Sequence, residues 1–81
     1  LGQPATPGDA NEAHSFIREK LKEMFGAEAA QHTLILYGGS VKPENARMFL
    51  TQENIDGCLV GGASLKKDSF VGIIDAANFP Q

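Results

Sequence analysis

Two glycine pairs, each placed at the end of an apolar run, constrain the fold of this chain most strongly. Gly38-Gly39 follows the apolar residues 33–37, and Gly61-Gly62 follows the apolar residues 58–60. Glycine has no Cβ, so its backbone N–H can approach a ligand closely. If both runs are parallel strands, their carboxyl ends meet at one edge of a sheet, where ligands gather. The pattern therefore predicts a cup of amide donors suited to an anion, above all a phosphate.

Apolar spacing and capping residues predict the first helix. Thr6 fits the N-cap, Pro7 fits the first helical position, and Gly26 is a natural stop. Between them, apolar residues recur every three or four positions, which predicts one buried stripe. The stripe comprises Ala10, Ala13, Ile17, Leu21 and Met24, with Phe16 and Phe25 beside it.

Two further helices and two strands are expected after the first helix. One helix is predicted from Pro43 through Leu50 and another from Phe70 to Ala77, while residues 27–31 can add a short helical turn. Both strand runs are apolar on both faces, which is typical of parallel sheets covered on both sides. About 20 residues separate the two strands, enough for a right-handed parallel crossover. The order helix–strand–helix–strand–helix predicts an α/β fold.

Composition excludes several classes of protein. The chain has 81 residues, so it forms one domain at most, and its net charge of −3 is unlike that of nucleic-acid-binding proteins. No apolar run approaches the roughly 18 residues of a membrane span, so we expect no membrane partner. Cys58 is the only cysteine, which excludes a disulfide framework and favours a reduced, cytoplasmic setting.

The number of strands indicates an incomplete sheet. Two strands cannot close a barrel, and they leave strand edges and apolar helix faces uncovered. Residues 1–7 also read like the interior of a loop. We therefore expect the chain to be a fragment of something longer.

Known catalytic and nucleotide-binding motifs do not fit either glycine pair. A nucleophile elbow around Ser40 would need a glycine two residues later, where Lys42 stands. The dinucleotide fingerprint lacks its third glycine, and the Gly-Lys-Ser/Thr of a phosphate loop is absent. Ser40 is better interpreted as an N–H and hydroxyl donor to an anion. The plain alternative is that each pair is a tight strand-to-helix turn without a ligand.

The remaining polar candidates give no catalytic set. His14 and His32 are expected at the surface or half-buried, and Cys58 as a small core residue. No Cys/His/carboxylate spacing resembles a metal site. Arg18 has apolar neighbours in its helix, so it is either a solvated charge or the partner of a carboxylate such as Asp56; the pattern alone leaves this open.

Three segments of the chain resemble the triosephosphate isomerase family. They are the runs 36–41 (LYGGSV) and 56–65 (DGCLVGGASL), and Ala5-Thr6-Pro7 followed by residues 14–18 (HSFIR). Their order and spacing cover nearly the whole chain. The resemblance implies a partial (β/α)8 barrel, with residues 1–81 as its last third: the end of loop six, helix six, and then strands and helices seven and eight.

The resemblance also implies a function. The family's enzyme interconverts dihydroxyacetone phosphate and glyceraldehyde 3-phosphate, without cofactor or metal, as a homodimer. Its backbone N–H groups hold the substrate phosphate, and Ser40, Gly61 and Gly62 match those positions. Residues 63–65 match a short extra helix that points at the phosphate. Triose phosphate, or inorganic phosphate or sulfate, is therefore the expected ligand.

Other matched positions concern closure of a mobile loop over the substrate. Gly2 and Ala5 match the carboxyl side of that loop, and Tyr37 and Ser40 match residues that hydrogen-bond the closed loop. The chain departs from the family at Gln3-Pro4, where a Lys followed by a small or hydroxyl residue is common. Because proline fixes φ, this departure puts the loop kinetics in question.

The last matched positions are structural, and the catalytic ones are missing. Arg18 and Asp56 match an ion pair between the sixth helix and the start of strand eight. Leu59 matches an apolar residue packed against the catalytic carboxylate. The family's catalytic Glu lies before the first residue of this chain, and its active-site Lys and His lie earlier still. The resemblance therefore predicts that the chain alone is inactive.

Two alternatives stand beside this interpretation. The exposed strand edges favour a non-enzymatic, self-associating partial barrel that binds phosphate or sulfate weakly. Another phosphate-binding barrel enzyme would share the glycine turns, although it would not be expected to share residues 5–7 and 61–65 as well.

Overall fold

The predicted order of helices and strands is confirmed in the computed structural model, which describes residues 5–78. The short helical turn expected near residue 27 forms a separate helix, and a 3₁₀ helix follows the second glycine pair. The elements are α1 (Pro7–Phe25), α2 (Ala27–His32), β1 (Leu36–Tyr37), α3 (Pro43–Leu50), β2 (Gly57–Cys58), the 3₁₀ helix (Gly62–Leu65) and α4 (Lys67–Ala77).

Both ends of α1 lie where the capping residues predict them. The Thr6 side chain accepts a hydrogen bond from the Asp9 N–H at 3.0 Å, so one of the free donors of the first turn is satisfied. Gly26 has a φ of 97°, and its N–H donates to the Lys22 carbonyl. A residue with a side chain is strained at that φ, which explains why the helix ends at a glycine.

The two strands pair in parallel, as predicted. Leu36 lies opposite Gly57, and Tyr37 lies opposite Cys58. Since the strands are parallel, both glycine pairs leave the sheet at the same edge.

The strands are shorter and less covered than the sequence predicts. Strand structure is limited to two residues in each run, although backbone bonds from Asp56 to Ile35 and from Leu59 to Tyr37 continue the pairing beyond both ends. Leu34 is 74% exposed and Leu36 is 52% exposed. The prediction that the strands are buried on both faces was therefore wrong for these residues. Each strand of a two-stranded sheet has only one neighbour, and one side of the sheet stays uncovered.

The core lies on the other side of the sheet. The Tyr37 ring stacks on Phe49 of α3, with centroids 4.2 Å apart and planes 11° from parallel. Aromatic pairs at this distance stabilise beyond the area that they bury. The buried cluster contains Ala10, Tyr37, Val41, Ala46, Phe49, Ile55, Ile73 and Ala76.

The buried face of α1 differs from the predicted apolar stripe. Ala10 of the stripe is buried as predicted, but Met24 and the neighbouring Phe16 are more than 60% exposed, whereas His14, which lies outside the stripe, is buried. The physical reason is that three polar residues one turn apart, Asn11, His14 and Arg18, bind the loop before β2. These bonds rotate the stripe away from the core.

The expectation that His14 lies at the surface or half-buried was therefore wrong. The residue is 6% exposed, and its Nδ1 lies 3.3 Å from the carbonyl oxygen of Asn54. Because a carbonyl oxygen only accepts, this contact places a proton on Nδ1. A hydrogen-bond partner offsets the cost of burying the imidazole.

The first glycine pair has a structural role that the sequence pattern does not reveal. A Cβ on Gly39 would overlap the Tyr37 hydroxyl and ring, whereas a Cβ on Gly38 would meet Leu59 at an ordinary 3.9 Å. Gly39 is required because the loop folds directly over the tyrosine.

Replacing Gly39 should therefore destabilise the fold. We expect Gly39→Ala to lower the free energy of unfolding by about 1–3 kcal/mol, the usual cost of overpacking. Gly38→Ala is the matched control in the same turn and should cost well under half as much. Chemical denaturation of both variants measures the difference; equal losses would show that Tyr37 does not impose this requirement.

Candidate functional site

A cleft of about 470 Å³ lies where β1 and β2 end. Two loops form it, one leading from β1 into α3 and the other leading from β2 into α4. Its lining residues are Gly39, Ser40, Val41, Lys42, Pro43, Glu44, Gly61, Gly62, Ala63, Lys66 and Ser69. The three predicted anion-binding residues, Ser40, Gly61 and Gly62, thus lie around one cleft.

Backbone donors are available in this cleft. None of the N–H groups of Ser40, Gly61 and Gly62 has a hydrogen-bond acceptor within residues 5–78. A Cβ built on Gly61 or Gly62 would meet no atom within 4 Å, so both residues border open space. Unpaired N–H groups beside open space are the chemistry that an anion requires.

The 3₁₀ helix fixes the second of these loops. The Ser64 N–H donates to the Gly61 carbonyl at 2.9 Å, and the Ser64 hydroxyl donates to the Val60 carbonyl at 3.0 Å. Both carbonyl oxygens are engaged by Ser64, which leaves the N–H side of the glycine pair for a ligand.

Two lysines give the cleft a positive rim. Lys42 belongs to the first loop and Lys66 to the second, and Glu44 is the one acidic residue among the lining residues. The cleft therefore carries a local excess of positive charge on a chain whose net charge is −3. Such an excess attracts an anion and weakens as salt rises.

Arg18 connects several segments at the opposite end of the sheet, where the two strands begin. Arg18 Nη2 lies 2.6 Å from Asp56 Oδ2, and the guanidinium also donates to the carbonyls of Ala30, Thr33 and Asn54. One side chain thereby joins α1, the end of α2 and the segments that precede both strands. Of the two readings that the sequence leaves open for Arg18, the structure has the paired one.

The same contacts lower the pKa of the Asp56 carboxyl group. Partial burial raises the pKa of Asp56, but the Ile35 N–H, the Arg18 guanidinium and the charge of His14 outweigh that effect. Together they hold the pKa below its ordinary value of 3.8. Asp56 is consequently ionised wherever the chain is near neutral pH.

Comparison with known proteins identifies the family of this chain. The sequence model of the triosephosphate isomerase family matches residues 1–77. The chain is 60% identical over 77 residues to the triosephosphate isomerase of Fusobacterium nucleatum, covering 95% of this chain and 31% of that protein. It is 57% identical to the enzyme of Rhodopirellula baltica and 52% identical to that of Flavobacterium johnsoniae, covering 94% and 93% of this chain and 30% of each relative.

The chain belongs to the triosephosphate isomerase family. It spans about 31% of the length of the curated relatives that it matches. The two parallel strands with their flanking helices are accordingly a part of the family's α/β barrel, as the fold class predicts.

Two of the residues that the family resemblance assigns to loop closure, Ala5 and Tyr37, lie within the described part of the chain. Tyr37 is buried against Phe49, and Ala5 is exposed before α1. Gly2 and the departing Gln3-Pro4 lie outside the described residues. Their roles in closing a loop stay predictions.

Cys58 of β2 and Leu59, the residue directly after the strand, differ in burial. Leu59 is 68% exposed and lies beside Gly38, so its side chain offers an apolar surface at the edge of the sheet. Cys58 is half-buried against the core, and burial raises the pKa of its thiol. The thiol is therefore less reactive than a free cysteine, in keeping with the predicted core role.

The residues described give two further negative findings. Across residues 5–78, no group of three or more His, Cys, Asp or Glu side chains is placed to hold a metal ion. In the same part of the chain, no helix combines the length and apolar character needed to cross a bilayer.

Sequence reasoning missed two asparagines that organise the structure. The Asn54 carbonyl accepts hydrogen bonds from the Arg18 guanidinium and the His14 ring. The Asn54 N–H donates to Asn11 Oδ1. Asn45 bonds two peptide groups of the loop that contains Ser40. For Asn45 a signal exists, since it stands three residues after the N-cap of α3, where side chains reach back to the cap.

Removing the Asp56 charge should change how stability depends on pH. The folded-state pKa lies below 3.8, so the ion pair contributes fully above the unfolded-state pKa and is lost as the pH falls through the folded-state pKa. We expect Asp56→Asn to cost on the order of 1 kcal/mol at pH 7 and to flatten the loss of stability below about pH 4.

Urea denaturation between pH 7 and pH 2.5 measures this effect. The control is Asp75→Asn, which removes an exposed carboxylate on α4. If both variants lose stability with pH as the parent does, the Arg18–Asp56 contact contributes nothing to the pH dependence.

Proposed function

We propose that this chain forms the phosphate-binding part of a triosephosphate isomerase. That enzyme would interconvert dihydroxyacetone phosphate and glyceraldehyde 3-phosphate in glycolysis and gluconeogenesis, by proton transfer through an enediolate. The observation that supports the proposal is the set of three unpaired N–H groups, at Ser40, Gly61 and Gly62, around one cleft at the carboxyl ends of two parallel strands. Ligands of barrel enzymes bind at this end of the strands.

The phosphate is the unreactive end of a triose phosphate. Amide donors fixed by the two loops would hold it, and Lys42 and Lys66 would attract it electrostatically. Binding energy from an unreactive group is useful when it orients the reacting carbons against a base elsewhere in the site. Leu59, exposed at the same edge of the sheet, would offer that base an apolar neighbour.

The chemistry itself would need residues beyond this chain. In the family, the catalytic Glu, Lys and His match no position here, so the chain alone is proposed to be inactive. No cofactor and no metal enters the proposal. The whole enzyme is proposed to be a cytoplasmic homodimer. Its other barrel strands would cover Leu36 of β1 and Leu34, which lies just before that strand.

A self-associating, inactive partial barrel is the less favoured alternative, because the relatives that match carry the name of the enzyme. Self-association of the separate chain is nevertheless expected, since Leu34, Leu36 and Leu59 are exposed together with strand edges. Sedimentation at several concentrations measures it.

Filling the cleft at Gly62 should weaken phosphate binding at least about tenfold without harming the fold. A Cβ there meets no protein atom, so the Val side chain of Gly62→Val extends into the cleft. We expect inorganic phosphate to bind at least about tenfold more weakly, the equivalent of losing one hydrogen bond to a charged group. Ala77→Val, which adds bulk at an exposed position of α4, is the control. Undiminished phosphate binding by Gly62→Val in calorimetry would contradict the site.

The separate chain should show no isomerase activity. Without a catalytic base it lacks the group that removes a proton from the substrate carbon. Assay of the purified chain with dihydroxyacetone phosphate is expected to give the rate of buffer alone. Turnover that rises in proportion to the concentration of the chain would overturn this part of the proposal.

A further inference from the structure

Asn45, the third residue of α3, connects two peptide groups of the loop that forms one wall of the cleft. Its Nδ2 donates to the Ser40 carbonyl at 3.0 Å, and its Oδ1 accepts from the Lys42 N–H at 2.8 Å. A carbonyl only accepts and an N–H only donates, so one orientation of the Asn45 amide satisfies both bonds. The side chain is therefore matched to the loop at both of its polar atoms.

The bond to Lys42 also caps α3 from inside the helix. Lysine at an N-cap has no side-chain acceptor for the free N–H groups of the first turn. Asn45 supplies the reciprocal half of a capping box by accepting the N–H of the cap residue. A helix cap requires only the Oδ1 atom, so the second bond, from Nδ2 to Ser40, needs another explanation.

The bond to Ser40 fixes a carbonyl oxygen that an anion site must exclude. Val41 is buried in the core and Gly39 lies over Tyr37, so the loop is held on both sides of Ser40. The peptide group between Ser40 and Val41 is then free to turn unless something holds its carbonyl. Turned into the cleft, that oxygen would repel a phosphate oxygen, whereas Asn45 keeps it directed at α3.

We propose that Asn45 is a positioning residue for the phosphate cup, which it serves by holding the Ser40 carbonyl away from the bound anion. The inference rests on the proposed phosphate site and adds to it a residue that does not itself touch the ligand. This position requires a side-chain amide, because one side chain must donate to the Ser40 carbonyl and accept from the Lys42 N–H at the same time.

Two variants separate the two bonds. Asn45→Leu removes both bonds while keeping the size of the side chain and favouring helix. Asn45→Asp keeps an acceptor for the Lys42 N–H but has no donor for the Ser40 carbonyl at neutral pH. Because Asn45→Asp also adds a charge, Glu44→Gln serves as the matched control: it removes a carboxylate from the adjacent position on the cleft.

The measurement is a titration of the ¹⁵N-labelled 81-residue chain with inorganic phosphate, followed at the amides of Ser40, Gly61 and Gly62. We expect Asn45→Leu to bind about fivefold or more weakly, the effect of one lost hydrogen bond. The loss of phosphate affinity in Asn45→Asp should be larger than the gain of phosphate affinity in Glu44→Gln. Hydrogen exchange at the Lys42 amide of Asn45→Asp should nevertheless be as slow as in the parent chain. A residue that only capped the helix would not separate these two readouts.

Three results would count against the inference. Phosphate binding by Asn45→Leu within about twofold of the parent chain would overturn it while leaving the phosphate site intact. If Asn45→Leu does not fold, a change in Asn45→Asp no larger than that in Glu44→Gln overturns it in the same way. A parent chain whose Ser40, Gly61 and Gly62 amides do not respond to phosphate would refute the phosphate site itself, and the inference with it.

Discussion

The contact between Arg18 and Asp56 aligns the two strands that carry the candidate site. Asp56 Oδ2 accepts both the guanidinium and the Ile35 N–H, so one carboxylate aligns the segment before β1 with the segment before β2. In a parallel pair, alignment at the amino ends decides where the carboxyl ends lie. The Arg18–Asp56 contact at the amino ends of the strands therefore sets the spacing of the two glycine loops at the carboxyl ends. Arg18 also joins α1 to Asn54, although Phe16, Met24 and Phe25 of that helix stay mostly exposed.

Local signals predicted the elements well, because each was encoded within a few residues. Thr6 and Gly26 fixed α1, Pro43 fixed the start of α3, and two apolar runs separated by a crossover fixed the parallel pair. Burial was predicted less well, since it depends on what lies across from a face. Beyond Ala10, the apolar stripe of α1 points away from the core because polar bonds to a distant loop decide the rotation of the helix. His14 is buried for the same reason, and periodicity carries no information about such partners.

The candidate site shows the same division between local and distant information. Three residues on two separate loops, Ser40, Gly61 and Gly62, were predicted to lie together, and they line one cleft. The four glycines nevertheless divide into two roles. Gly39 is needed because a tyrosine lies beneath the loop, whereas Gly61 and Gly62 border open space. Only the packing of Tyr37 against the core distinguishes them, and that packing could not be read from the glycine pattern.

The position of a bound anion in crystals of the chain decides whether the glycine loops form a phosphate cup. Selenate carries the charge and shape of a tetrahedral anion, and its selenium can be located by anomalous scattering in crystals of the chain. We expect a selenium peak within hydrogen-bonding reach of the Ser40, Gly61 and Gly62 N–H groups. A peak found instead only in the cleft beside Arg18 and Lys22, at the opposite edge of the sheet, would contradict it.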